Sequence, residues 1–169
     1  VAIFGDAQSA ERVVERTLRA QAKWGSRDRR MFAEGVYDSV RWWRLYWNLA
    51  GLPDAEHLDR ETLTEARVWR VWGVCWIEAG GTLPYFEEFA DFDPAAVRAR
   101  RDGALAAAIR ASIPDWLHYR AESELGAEWA SLLDALNRPA EVFLRVNSMR
   151  LSRAELRGRL RSEEHTSEL

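Results

Sequence analysis

Val68-Trp69-Arg70-Val71-Trp72-Gly73-Val74-Cys75-Trp76-Ile77 is the stretch that decides the architecture of this chain. It is apolar on nearly every side of a helix, and a helix of that kind belongs in the middle of a bundle, not on its surface. The spacing predicts a helix from about Glu61 to Ala79, stopped by Gly80-Gly81 and Pro84. Working outward toward the start, Gly51-Leu52-Pro53 is a break, and residues 54–60 read as a polar connection. Before the break, Phe32, Val36, Val40, Trp43 and Trp47 recur at three or four residues, which predicts one long helix opening at Ser26. A first helix is N-capped by Ser9, carries Val14, Leu18 and Ala22, and ends at Gly25. Working outward toward the end, Phe86, Phe89 and Phe92 are placed to plug one end of the bundle. Asp93-Pro94 is an N-cap with proline at the first helical position, predicting a helix to about Arg110.

From Ser112 the pattern changes. Ser112-Ile113-Pro114 opens a short helix carrying Trp116 and Leu117, closed by Gly126. Glu128 to Leu136 is expected to face Trp129, Leu132, Leu133 and Leu136 inward, with Asn137-Arg138-Pro139 as its stop. Val142-Phe143-Leu144-Arg145-Val146-Asn147 is the one strong strand candidate, being rich in β-branched and aromatic residues. One strand cannot satisfy its own backbone groups, so its partners are expected outside this sequence or on another molecule. Ser152-Arg153-Ala154-Glu155 is a capping box that starts a last helix. The fold class expected is mainly α, a helical bundle followed by the start of a small α/β subdomain with one strand.

The composition excludes several function classes. No run approaches the ~20 apolar residues of a membrane helix, and no signal peptide opens the chain, so a cytoplasmic protein with no membrane partner is expected. Cys75 is the only cysteine, which rules out an internal disulfide and a cysteine-based metal cluster. His57, His118 and His165 show no ligand spacing, so no metal is expected. The net charge of −3 is unevenly spread. Residues 8–50 carry nine Lys/Arg against five Asp/Glu, residues 51–97 three against ten, and residues 98–160 eleven against eight. A basic first third can attract phosphates even in an acidic chain.

Two phrases carry a family resemblance. Trp24-Gly25-Ser26-Arg27-Asp28-Arg29-Arg30-Met31-Phe32-Ala33-Glu34, followed by Val36-Tyr37-Asp38-Ser39-Val40-Arg41, resembles the helical RNA-binding domain at the front of bacterial ribosomal RNA (cytosine-5) methyltransferases of the RsmB/Sun-like kind. That domain is related to the antitermination factor NusB. Ile113-Pro114-Asp115-Trp116-Leu117, Glu124-Leu125-Gly126, Asn137-Arg138-Pro139, Leu144-Arg145-Val146-Asn147 and Ser152-Arg153-Ala154-Glu155-Leu156 follow in order. They resemble the region that precedes the methyltransferase core and presents RNA to it. The resemblance implies a NusB-like domain over 1–110 and the start of a pre-catalytic α/β (RRM-like) subdomain over 111–160. Residues 161–169 abandon the expected continuation; Arg161-Ser162-Glu163-Glu164-His165-Thr166-Ser167-Glu168-Leu169 resembles a translated sequencing adapter and is expected to be a non-native tail.

The resemblance also implies what the chain lacks. The family's catalytic domain binds S-adenosylmethionine through a Gly-rich loop and uses two cysteines, because C5 of cytosine is a poor nucleophile until C6 is attacked. Here Cys75 lies mid-helix among aromatics, where packing is the expected role, and Gly80-Gly81 follows no strand. The expectation is a monomeric N-terminal fragment, cut after Leu160, that binds small-subunit ribosomal RNA, holds no cofactor itself and is inactive alone. The alternative is a free-standing NusB-like antitermination module binding RNA or protein.

The candidate RNA-binding residues are Arg27, Arg29, Arg30, Arg41, Arg44, Arg145 and Asn147. The first three crowd the start of the second helix, with Arg41 and Arg44 three to four turns further on. Arginine forks suit phosphate oxygens, and such contacts hold RNA without reading its sequence. Ion pairs from Arg27, Arg29 or Arg41 to Asp28, Glu34 or Asp38 are the structural alternative. Arg145 and Asn147 alternate with Leu144 and Val146 and face RNA, the missing core, or the loop at Asn137-Arg138. Most tryptophans fall on apolar faces; Trp42, off the stripe, is the best exposed stacking candidate.

Overall fold

A computed structural model describes residues 2–54, 61–138 and 143–166. Among them the regular structure is entirely helical, and packing divides the chain into two compact units, Val1–Leu136 and Asn137–Leu169. His57, Pro139, Val142 and residues 167–169 lie outside the described residues.

In the first unit, α1 (Ala10–Ala20) packs on α2 (Ser26–Arg41). Ser9 caps α1 as expected, its side chain accepting from the Arg12 N–H. The long second helix is broken: Trp42 leaves helical geometry at φ −105° and ψ 19°, and a separate α3 (Trp43–Leu49) follows. No glycine or proline marks this break. Its cause lies far away in sequence. The Arg44 N–H, in the first turn of α3, donates to the Ser112 hydroxyl at 3.1 Å. Ser112 holds a left-handed φ of 55°, which costs a non-glycine residue about 1 kcal/mol and persists only where the surroundings demand it. At the other end of α3, Arg100 donates to the Leu49 carbonyl at 2.9 Å and Arg70 to the Ala50 carbonyl at 3.3 Å. Positive side chains thus meet the negative end of the helix. Both ends of α3 are satisfied by residues it cannot see locally, so seven residues can stand as a helix of their own.

α3 is the core peg. Leu45, Tyr46, Trp47 and Leu49 are all buried, against α4 (Glu65–Glu78), α5 (Pro94–Asp102) and α6 (Ala107–Arg110). α4 starts later than the sequence predicts, at a Thr64 cap, and places Val74 and Cys75 in the core. Phe89 and Phe92 pack on the flank of α4 instead of plugging an end of the bundle, within an edge-to-face aromatic cluster that includes Trp69, and Phe86 stays half exposed. Gly73 lets these rings pack close to α4, since a Cβ there would meet both the Phe89 and Phe92 rings at 3.1–3.2 Å. The helix from Asp93-Pro94 is capped as expected, but Gly103 ends it at Asp102 and α6 forms separately.

α7 (Asp115–Leu125) and α8 (Glu128–Asn137) complete this unit's helices. Trp129 is buried and donates from Nε1 to His118 Nδ1 at 3.0 Å. Contrary to the inward facing expected of them, Leu132 and Leu136 are exposed, as is Trp116 at 60%. One tryptophan already fills the contact between these two short helices; Leu133 is partly covered, and Leu132 and Leu136 are left exposed.

In the second unit, residues 143–147 form no ladder, so the expected strand is not seen among the described residues. The physical reason is the one already noted: an extended segment is a strand only with a partner, and none of the described residues supplies one. The capping box forms as expected. The Ser152 N–H donates to Glu155 Oε2 at 2.6 Å, the Glu155 N–H returns to Ser152 Oγ at 3.3 Å, and α9 (Arg153–Thr166) follows. These bonds hold the Glu155 carboxyl below its usual range. No helix among the described residues is long and apolar enough to cross a membrane.

Candidate nucleic-acid interface

The expected basic edge of α2 separates into arginines with three different tasks. Arg29 turns back and donates to the Leu18 carbonyl at 3.2 Å, tying α2 to the end of α1. Arg41 donates to the Ala111 carbonyl at 3.4 Å and lies 4.6 Å from the centre of the Trp42 ring. Its partial burial lowers its pKa. Trp42 is thereby covered, half buried and not a free stacking surface.

Arg44 is the sharpest departure from the sequence reading. It is only 1% exposed. Its guanidinium donates to Ile113 O and Asp115 Oδ1 at 2.7 Å each and to Asp54 Oδ2 at 3.1 Å. The hydrogen bond to Asp115 is the largest influence on its pKa, which rises despite the desolvation that opposes it. A fork committed to two carboxylates and a carbonyl has no face left for a phosphate, so Arg44 is a bridge inside the protein. Its position one turn beyond Arg41 suggests a shared face only because the break at Trp42 has no local signal.

Arg27 and Arg30 are exposed and lie on one face of α2 with Met31, Glu34, Gly35 and Asp38. Among the described residues no ion pair joins Arg27, Arg29, Arg30 or Arg41 to Asp28, Glu34 or Asp38. This face borders a cleft whose other wall is α4, through Trp72, Cys75, Trp76 and Ala79. The floor is rigid. Gly35 meets the outer edge of the Trp72 ring, so a side chain there would run into it. Trp76 donates from Nε1 to the Thr82 carbonyl at 2.7 Å and rests on Gly81. The Cys75 thiol is buried, which pushes its pKa up and keeps it neutral. Neutrality and burial both make it a poor nucleophile.

In the second unit Arg145 is exposed. Asn147 serves the backbone: its Oδ1 accepts from the Met149 N–H at 3.1 Å, shaping the turn before α9. The sequence reading passes over Arg153, Arg157 and Arg161. They recur every four residues, so they stand on one side of α9, where with Leu144, Val146, Leu156 and Leu160 they line a groove. The signal is plain i, i+4 spacing. The Trp72–Trp76 cleft is equally readable as two tryptophans four apart, but both fall on faces that the apolar pattern assigns to the core.

Among the described residues no group of His, Cys, Asp or Glu could hold a metal ion. Nor do the residues fit a nucleotide-cofactor loop, since Gly80-Gly81 ends helix α4 instead of following a strand. Residues 113–169 match the family model described as Methyltr_RsmF/B-like, ferredoxin-like domain. The match begins where Arg44 grips the chain and covers α7, α8 and all of the second unit. No curated protein and no solved structure matches the chain.

Proposed function

We propose, from the match over residues 113–169, that this chain is an RNA-binding region of an S-adenosylmethionine-dependent ribosomal RNA (cytosine-5) methyltransferase. The match is the observation that carries the reading. The NusB-like character of the helices before it rests on the phrase Trp24 to Arg41 and is part of the proposal. The chain works as a cytoplasmic monomer on small-subunit ribosomal RNA. Methyl transfer belongs to a catalytic domain outside these residues: the only cysteine is buried and neutral, and a pair is needed. The free-standing antitermination module is the weaker reading, since it has no use for the segment that matches the family model.

The RNA-gripping residues in this reading are Arg27 and Arg30, with Arg145 in the second unit. Arg29, Arg41 and Arg44 hold the bundle together, and Asn147 shapes a turn. A filter-binding titration of small-subunit ribosomal RNA at several salt concentrations tests it. Replacing Arg27→Gln with Arg30→Gln should weaken binding and lower the slope of log affinity against log salt by roughly 0.7–0.9 for each phosphate that is no longer neutralised. A wild-type chain that binds no ribosomal RNA at low salt overturns the reading.

A further inference from the structure

The cleft between α2 and α4 is larger than phosphate gripping requires. It encloses about 320 Å³, at the small end of the range of ligand pockets, about 300–1,000 Å³. Its floor is aromatic and its rim is charged in a definite order along α2. Arg27 and Arg30 come first, then Glu34 and Asp38 one and two turns on. Such a site suits a ligand that is flat and apolar in the middle, anionic at one end and rich in N–H donors at the other. A nucleotide has that layout. Its base presents a π face that stacks on tryptophan, its phosphate suits an arginine fork, and an exocyclic amino group donates to a carboxylate. A lipid tail has no use for Glu34 and Asp38, and a fully apolar peptide has none for the arginines.

We propose that this cleft receives one unpaired RNA base. It lies against Trp72 and Trp76, with its flanking phosphate on Arg27 and Arg30 and its amino edge toward Glu34 and Asp38. The base must be unpaired, because an A-form duplex hides base faces and its deep groove excludes side chains. The site is built before RNA arrives. The outer edge of the Trp72 ring is seated against Gly35, and the bond from Trp76 to Thr82 fixes the second ring, so little side-chain freedom is lost on binding. The proposal deepens the RNA-binding reading and rests on it.

Ala79 gives a clean way to close the cleft. It is exposed, stands at the end of α4 and lines the site, so Ala79→Leu fills the space without entering the core or changing charge. The experiment measures fluorescence anisotropy of a labelled unpaired cytosine- and adenine-rich oligonucleotide and of a hairpin duplex, over a range of salt. Wild type should bind the unpaired RNA more tightly. Ala79→Leu should weaken that binding about tenfold, the size expected for removing one stacked base, with duplex binding and the salt slope unchanged. Equal binding of unpaired RNA by wild type and Ala79→Leu overturns the cleft while leaving the arginine edge standing. No RNA binding by wild type at any salt overturns both. If Ala79→Leu melts early, Glu34→Gln with Asp38→Asn asks the same question from the rim. A several-fold preference for cytosine over uracil oligonucleotides should fall to parity, and an unchanged preference rejects the site.

Discussion

The two units of this chain are held by different kinds of interaction. The first, up to Leu136, has a core in which five of the seven residues of α3 are buried and its ends are served by Ser112, Arg70 and Arg100. The second, from Asn137, has no fully buried residue among those whose side chains are described; Phe143 is 85% and Leu144 61% exposed. What it has is a well-formed helix start, the reciprocal bonds of Ser152 and Glu155. Caps decide where a helix begins, whereas buried area and buried bonds decide whether a domain holds. Local order and burial are separate properties, and among the described residues the second unit has the first without the second.

The comparison breaks most readily at Arg44. Replacing Arg44→Gln removes the charged donor to the Ile113 carbonyl and both ion pairs, to Asp54 and Asp115, from a buried side-chain position. It should cost about 2–4 kcal/mol of the first unit's stability, below the upper range for buried pairs because Asp54 and Asp115 are partly exposed. Urea denaturation followed by tryptophan fluorescence measures it. A loss under ~1 kcal/mol would mean that the bridge is ornamental and that the core alone holds α3.

A smaller effect is expected on raising the pH. Cys75 and Tyr46 are both buried in the core of the first unit. Burial raises the pKa of both, and a charge on Cys75 further opposes ionisation of Tyr46. Both are neutral when protonated. Their contribution is therefore complete below the unfolded values, about 8.5 for Cys and 10 for Tyr, and is lost as pH rises through the folded values. Thermal unfolding should show the first unit losing stability as the pH rises from about 8 to about 11. Cys75→Ala should remove the part of the loss that begins at the lower pH, and a flat profile in wild type would contradict the burial.

The smallest effect belongs to the second unit. Ser152→Ala removes one half of the capping box and should fray about one turn of α9. The midpoint of the first unit should not move. Circular dichroism reads the helix and tryptophan fluorescence reads the first unit, since all nine tryptophans precede residue 137. A shared shift in both signals would show that the two units do not melt separately.

The parts of the fold legible in the sequence are those with local causes. Ser9, Asp93-Pro94 and Ser152-x-x-Glu155 each specify a helix start through atoms within three residues, and each forms as expected. The all-round apolar run at Val68–Ile77 specifies the central helix because nothing else can bury it. What escapes a sequence reading depends on distant partners. The break at Trp42 answers to Ser112, the inward turn of Arg44 to Asp115, and the exposure of Leu132 and Leu136 to what is not packed against them. The candidate site divides the same way. Arg27 and Arg30 stand out by charge density along one helix, while the cleft beside them needs α4 laid against Gly35, which spacing within α2 cannot reveal.

The Arg44 bridge also sets a clock. Its carboxylate partners lie 10 and 71 residues further along the chain. At about 5–20 residues per second of synthesis, Asp115 is made roughly 4–14 s after Arg44. During that interval Asp54 is the earlier-made of these two counter-charges. The peg at the centre of the bundle can be assembled in outline as soon as α4 emerges, but it is locked only when the segment beginning at Ile113 arrives. The region that matches the family model is thus the last piece of the first unit to be seated, and a nascent chain paused before it carries a half-satisfied arginine at its centre.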